Sequence, residues 1–230
     1  MSRLVVVTGG TRGIGAAIAS RFRSAGDTVL APGRAECDVT DEDTVAAYFA
    51  SAGPVDVLVN NAGISSSAPL SKTSVDDWRT QIDVNATGAF LCTRAVLPGM
   101  RTRDSGRIVT VASTASHVGY RYTAGYTASK HAAVGLMRAV AAELAGTGVT
   151  ANAVCPAFVR TDMTATSVAR ITSRSGRSAA EAEAALAAAS PLGRLLEPAE
   201  VAFAVAFLAA PEAAAINGQT LVLDGGGIQS

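Results

Sequence analysis

Short, almost unbroken apolar runs alternate with longer amphipathic stretches from one end of the chain to the other. Leu4–Thr8, Thr28–Ala31, Val55–Asn60, Arg107–Ser113, Val149–Val154 and Thr220–Leu223 are mostly continuous Val, Ile and Leu. Continuous rather than alternating apolar residues mark strands covered on both faces of a parallel sheet. Between them, Gly13–Ala25, Asp41–Ala50, Val75–Met100, Gly125–Ala145 and Pro198–Ala210 show helical spacing. Thr40 precedes Asp41, Glu42 and Asp43, and Thr73 or Ser74 precedes Asp76 and Asp77. Both arrangements put a capping hydroxyl before an acidic first turn. The alternation predicts an α/β fold: a doubly wound, mostly parallel sheet with helices on both faces, formed by residues 1–230 as a single domain. One segment, 161–190, differs, being rich in Ser, Thr, Arg and Ala, with an alanine-rich helix expected over Ser178–Ala189. It is either a solvated excursion or a lid, because it leaves the C-terminal end of the Val149–Val154 strand, where such folds place ligands.

Composition narrows the partners. The chain has 230 residues, 49% hydrophobic and 17% charged, with 19 basic against 19 acidic side chains. A zero formal charge speaks against nucleic acid or an anionic membrane surface as the main partner. The longest apolar run, Val201–Ala210, has ten residues, short of the ~18–20 of a membrane helix. The opening Met1-Ser2-Arg3 leads into Leu4–Val7 and then Thr8-Gly9-Gly10, too short an apolar region for a signal peptide. Cys37, Cys92 and Cys155 lie far apart without metal-ligand spacing, so buried free thiols, a cytoplasmic location and no metal are expected.

At the first strand-to-helix junction lies Thr8-Gly9-Gly10-Thr11-Arg12-Gly13-Ile14-Gly15. Glycines allow a tight turn and let a pyrophosphate approach the backbone, while the helix N-terminus supplies amide donors and a positive dipole end. The spacing of Gly9, Gly13 and Gly15 is G-x-x-x-G-x-G rather than G-x-G-x-x-G, and its position at that junction is what points to nucleotide binding. Arg12 lies inside the loop and Arg34 follows the second strand, with Gly33 where a carboxylate would otherwise repel a 2′-phosphate. The two guanidiniums read either as a phosphate clamp or as ordinary surface arginines, and Glu36 is near enough to compete for Arg34.

Tyr126 and Lys130 are four apart at the start of a predicted helix and project from one face. With four tyrosines and only two lysines, Lys72 and Lys130, such a pair arises by chance about 0.03 times. A nearby ammonium is expected to lower a phenol's pKa toward a usable range. Ser113 closes a strand at its C-terminal end, where it could polarise a carbonyl oxygen or simply cap a turn. Asn85 interrupts a long helical pattern, facing solvent or holding a water in a proton path. His131 is expected to be structural, whereas His117 stands in the Thr114–Thr123 loop, where it could line a pocket.

Together with Asp38-Val39, Asn60-Asn61-Ala62-Gly63, Pro156, Thr161 and Asp224-Gly225-Gly226, these residues resemble the short-chain dehydrogenase/reductase family over essentially the whole chain. The resemblance implies a Rossmann-type, seven-stranded domain that binds NAD(P), as a homotetramer or homodimer. It implies a catalytic tetrad of Asn85, Ser113, Tyr126 and Lys130, with Tyr126 as general acid in ketone reduction and Asn85 anchoring a water linked to Lys130. For the cofactor it implies Gly9, Thr11, Arg12, Gly13, Ile14, Gly15, Arg34, Asp38, Val39, Asn61, Ala62, Gly63, Val159 and Thr161, beside Tyr126 and Lys130. Asp38 would meet adenine, Asn61 to Gly63 the adenosine ribose, and Val159 and Thr161 the nicotinamide amide. Likeness to bacterial 3-oxoacyl-thioester reductases, polyketide ketoreductases and 3-hydroxybutyrate-type dehydrogenases implies NADPH-dependent reduction of a ketone, a 3-oxoacyl thioester first. The alternatives are an NAD-using 3-hydroxyacid or secondary-alcohol dehydrogenase and a non-catalytic nucleotide sensor on the same fold. Two departures stand out: Ala157 follows Pro156 where the family has glycine, and Pro32–Cys37 is too short for the helix usually found there.

Overall fold

The structure is a computed structural model and describes residues 2–229. Each predicted apolar run becomes a strand: β1 (Leu4–Val7), β2 (Thr28–Leu30), β3 (Val57–Asn60), β4 (Gly106–Val111), β5 (Val149–Pro156) and β6 (Thr220–Leu223). They form one six-stranded sheet in the order β2-β1-β3-β4-β5-β6, with every neighbouring pair parallel. The sheet thus has six strands, where seven were expected. Between Leu30 and Glu42 the chain forms turns instead of a further helix and strand. A parallel strand needs a crossover of a dozen or more residues, and this connection is too short to supply one and return.

The pleat sends alternate residues to opposite faces. Val6 and Leu58 enter one core, while Val5, Val7, Val57 and Val59 enter the other. On the first face pack α2 (Glu42–Ala52), α4 (Gly88–Arg103) and α5 (Ala124–Glu143), through Val45, Phe49, Leu91, Val96, Met100, Val134 and Met137. On the second, α1 (Gly13–Ser24) and α8 (Pro198–Leu208) bury Ile18, Phe22, Val201, Val205 and Leu208. Asp41 and Ser74 cap α2 and α3 (Val75–Ile82), accepting from Thr44 N and Asp77 N. The long Val75–Met100 pattern is split: a π turn over Asp83–Thr87 separates α3 from α4.

The 161–190 segment is more ordered than its composition indicates. Thr161 caps α6 (Asp162–Ser175), and Ser178 with Glu181 makes a reciprocal capping box on α7 (Ala179–Ala187). Only the second helix was expected, because the first carries few apolar residues. Among the described residues no helix is long and apolar enough to cross a membrane.

Candidate active site

β1 pairs with β2 on one side and β3 on the other, so the strand order reverses there and a crevice opens at the carboxyl ends. The glycine loop fills the turn after β1. Gly9 and Gly13 adopt positive φ (62° and 53°), a region that disfavours side chains. A Cβ on Gly15 would lie 2.4 Å from Gly9 O. No side chain caps α1, and its first turn has no acidic residue, which leaves amide donors and an uncompensated dipole end for an anion. Thr8 Oγ1 accepts from Asn61 N and Ala62 N at 3.1 Å, and Asn61 Nδ2 donates to Thr8 O and Gly9 O. These bonds lock the loop after β3 against the glycine loop. Thr161 comes over the same loop, its Cγ2 being 3.4 Å from where a Cβ on Gly13 would sit. Residues drawn from the ends of β1, β3 and β5 thus form one cradle that suits a dinucleotide.

The proton-transfer residues converge beside it. Ser113 follows β4, and its Oγ accepts from Ala115 N (3.1 Å). Tyr126 and Lys130 come from the first turns of α5, with Lys130 Nζ 5.8 Å from the centre of the Tyr126 ring. Lys130 is buried and donates to Val111 O (3.0 Å). Burial brings its ammonium down to about 8. Burial also raises the Tyr126 phenol above its ordinary value, against a downward pull from its hydrogen bond with Ser113. This corrects the expected lowering: desolvation of the buried phenolate outweighs the hydrogen bond with Ser113.

Asn85 lies in the π turn, 3% exposed, so the solvent-facing alternative falls away. Its Oδ1 accepts from Ile64 N (2.9 Å), and its Nδ2 donates to Ile64 O (3.0 Å) and Ser129 Oγ (2.9 Å). The side chain therefore ties the loop after β3 to the helix that carries Tyr126 and Lys130. A Cβ on Gly63 would come within 3.1 Å of Asn85 Oδ1 and 3.5 Å of Lys130 Nζ, so glycine there keeps open the space between the two.

Sequence reasoning placed Ser65–Leu70 in the cleft wall but missed Gln81, which holds that wall in place. Buried Gln81 accepts from Ser66 N and donates to Ser66 Oγ, which in turn donates to Asp77. Arg170 reaches from α6 to Ser67 Oγ (2.9 Å). The available signal was Gln81 four residues before Asn85, a polar pair on one helix stripe. His117 turns a buried, unpartnered Nε2 inward, and burial with nearby Arg138 lowers its pKa, leaving the ring neutral at pH 7. His131 is structural, its Nδ1 bonded to Thr127 O. Among the described residues no group of three potential metal ligands occurs.

The adenosine side differs from expectation. Arg34 Nε is paired with Asp38 (2.9 Å), and Asp38 also accepts from Thr40 N and Oγ1. These bonds hold its carboxyl below the usual range, with Thr40 the larger cause. Glu36 does not compete for Arg34; its carboxylate accepts from Gly33 N (2.8 Å). Arg12 stands 3.9 Å from Asp162 and is 80% exposed. The Val39 side chain is buried against Gly88.

Comparisons with known proteins agree with this geometry. Residues 31–227 match the family model described as enoyl-(acyl carrier protein) reductase. An acetoacetyl-CoA reductase of Shinella zoogloeoides is 38% identical, covering 98% of both chains. The 3-oxoacyl-[acyl-carrier-protein] reductase MabA of Mycobacterium tuberculosis is 38% identical over 98% of this chain and 93% of its own. A variant of actinorhodin polyketide ketoreductase solved with NADPH superposes with a TM-score of 0.89 at 36% identity, covering 98% of this chain and 97% of its own. With a parallel sheet reversing beside β1, a glycine cradle at that point and Tyr126 and Lys130 one turn apart, the chain belongs to the short-chain dehydrogenase/reductase family.

Proposed function

We propose that the protein is an NADPH-dependent ketoreductase acting on a 3-oxoacyl thioester. The observation that carries the chemistry is the convergence of Ser113, Tyr126 and Lys130 at the mouth of the cradle. The names of two relatives, an acetoacetyl-CoA reductase and a 3-oxoacyl-[acyl-carrier-protein] reductase, support the substrate class.

The bound nicotinamide supplies the hydride. Ser113 and Tyr126 hydroxyls hold the carbonyl oxygen and stabilise the charge that develops on it. Tyr126, kept protonated by burial, donates its proton to that oxygen as the alkoxide forms. The Lys130 ammonium steadies the phenolate left behind and holds the nicotinamide ribose with its remaining donors. Asn85 positions α5, and the space beside Gly63 lets a water join its Oδ1 to Lys130 Nζ for reprotonation. The glycine cradle with Asn61 to Gly63 holds pyrophosphate and ribose, Val159 and Thr161 meet the nicotinamide amide, and Arg12 and Arg34 serve the 2′-phosphate. The α6–α7 segment acts as the lid, joined to the cleft wall by Arg170 and Ser67. Exposed Leu192 and Phe203, which line one cleft with Val222 and Leu223 of the half-buried edge strand β6, support assembly as a homodimer or homotetramer. Three buried free cysteines fit a reducing, cytoplasmic setting.

The test is turnover of a panel of 3-oxoacyl thioesters, free 3-oxo acids, simple ketones and enoyl thioesters by wild type and Tyr126→Phe. The expected result is fastest NADPH oxidation on a 3-oxoacyl thioester and a loss of about 10²–10⁴-fold in kcat in the variant. Undiminished turnover by Tyr126→Phe, or activity confined to enoyl thioesters or free acids, would overturn the reading.

A further inference from the structure

Two buried amides stand four residues apart, Gln81 near the end of α3 and Asn85 in the π turn, 1% and 3% exposed. Each holds the loop after β3 and also meets α5. Asn85 holds Ile64 and donates to Ser129 Oγ, which donates to Tyr126 O (2.8 Å). Gln81 Oε1 accepts from Ser66 N (3.1 Å), and its Nε2 donates to Ser66 Oγ (2.9 Å). One turn of α5 before Ser129 lies Gly125, where a Cβ would come within 2.6 Å of Gln81 Nε2. Gln81 therefore fills the gap between the loop and the residue preceding Tyr126. Its orientation is fixed by chemistry. The ionised Asp77 carboxylate only accepts, so Ser66 Oγ commits its proton there (2.7 and 2.8 Å). The Ser66 oxygen is then an acceptor for Gln81 Nε2, which leaves Oε1 for Ser66 N.

We propose that Gln81 is a positioning residue for ketone reduction: it sets the spacing between the cleft wall, Ile64–Ser67, and the proton donor Tyr126. It acts through Ser66 and Gly125 and touches neither cofactor nor substrate. Asn85 fixes one end of the wall and Gln81 a point two residues further on, so that wall and tyrosine helix keep one register. Ser67, next along, accepts from Arg170 of α6 (2.9 Å), so the wall held by Gln81 also meets the segment across the cleft. Hydride and proton transfer tolerate little displacement of the carbonyl, a shift of about 1 Å costing on the order of 10²-fold. A wall free to move would admit the ketone in more than one pose and expose both of its faces to the hydride. The role rests on the ketoreductase reading of the site and is independent of whether the substrate is a thioester.

The experiment is reduction of a prochiral ketone by wild type, Gln81→Leu, Gly125→Ala and the double variant Gln81→Ala/Gly125→Ala. It is read by steady-state kinetics, chiral analysis of the alcohol, calorimetric binding of NADPH and thermal melts. Leucine roughly keeps the volume and removes both bonds to Ser66, whereas alanine at 125 pushes the amide from the α5 side. Both single variants are expected to raise the ketone KM about tenfold, to lower the enantiomeric ratio of the product, and to leave NADPH affinity within about twofold. The double variant makes room for the new methyl group and is expected to keep the raised KM and the lowered ratio. Wild-type KM and enantiomeric ratio in folded Gln81→Leu would overturn the proposal. So would a parallel loss of NADPH affinity, which marks general loosening of the fold, or recovery of both readouts in the double variant. If Gln81→Leu does not fold, Gly125→Ala and the double variant decide by the same readouts. A wild type that reduces no ketone would remove the proposed function together with this role, whereas unmoved readouts in an active enzyme would remove this role alone.

Discussion

At the proposed nicotinamide end, Asn85, Ser129 and Lys130 are each under a tenth exposed; bonds of 2.9–3.0 Å join Asn85 to Ile64 and Ser129, and Lys130 to Val111. At the adenosine end, Arg34 and Arg12 are 86% and 80% exposed and held by single carboxylates. Proton transfer tolerates little misplacement, so its groups are built into the core. The phosphate contact proposed for these guanidiniums would need charge more than rigidity, which a surface turn can supply. The same substitution chemistry should therefore act on rate and stability at one end and on cofactor choice at the other.

Lys130→Met tests the buried end most severely. The drop of the ammonium from 10.5 to about 8 represents roughly 3 kcal/mol spent on keeping the charge out of water at neutral pH. The sign follows from proton counts. Between pH 8 and 10.5 the unfolded chain keeps a proton that the folded one releases, so wild type gains stability as pH rises through that window and carries the full penalty below it. Lys130→Met is expected to melt several degrees higher at pH 7, to lose that pH-dependent gain, and to lose nearly all reductase activity; calorimetric melts across pH and single-turnover assays measure both. A lower melting temperature would show that the bond to Val111 O outweighs desolvation.

Asn85→Ala removes the partner of Ile64 N–H and Ile64 O and one of the two bonds of Ser129 Oγ, which costs about 1–3 kcal/mol by urea denaturation. Its kcat should fall more than its KM rises, because Lys130 moves with Ser129 while the cofactor cradle remains. Arg34→Ala is the smallest in stability, within about 1 kcal/mol, since its ion pair is exposed. It is expected to weaken NADPH binding while leaving NADH binding and kcat near wild type. A large stability loss there would erase the contrast between the two ends.

Most of the sheet was legible because fully covered strands are uninterrupted Val and Ile, and because Tyr126, Lys130 and the glycines are sparse residue types at telling spacings. The π turn was not, since Asn85 marks an irregularity in Val75–Met100 but a wide turn carries no capping residue of its own. Helix α6 escaped because its capping by Thr161, rather than an apolar stripe, marks its start. The direction of the Tyr126 shift depends on burial, which spacing does not reveal. The seventh strand came from likeness to relatives, whereas the few residues between Leu30 and Glu42 already forbade it.

That missing strand makes β2 the margin of the sheet, with Thr28 exposed and Val29 and Leu30 half-buried. A free margin offers unpaired amides and carbonyls to any passing extended chain. Here it is three residues long and is followed two residues on by Pro32, which has no amide hydrogen to give. Brevity and that proline guard against edge-to-edge aggregation, the hazard of an uncovered margin.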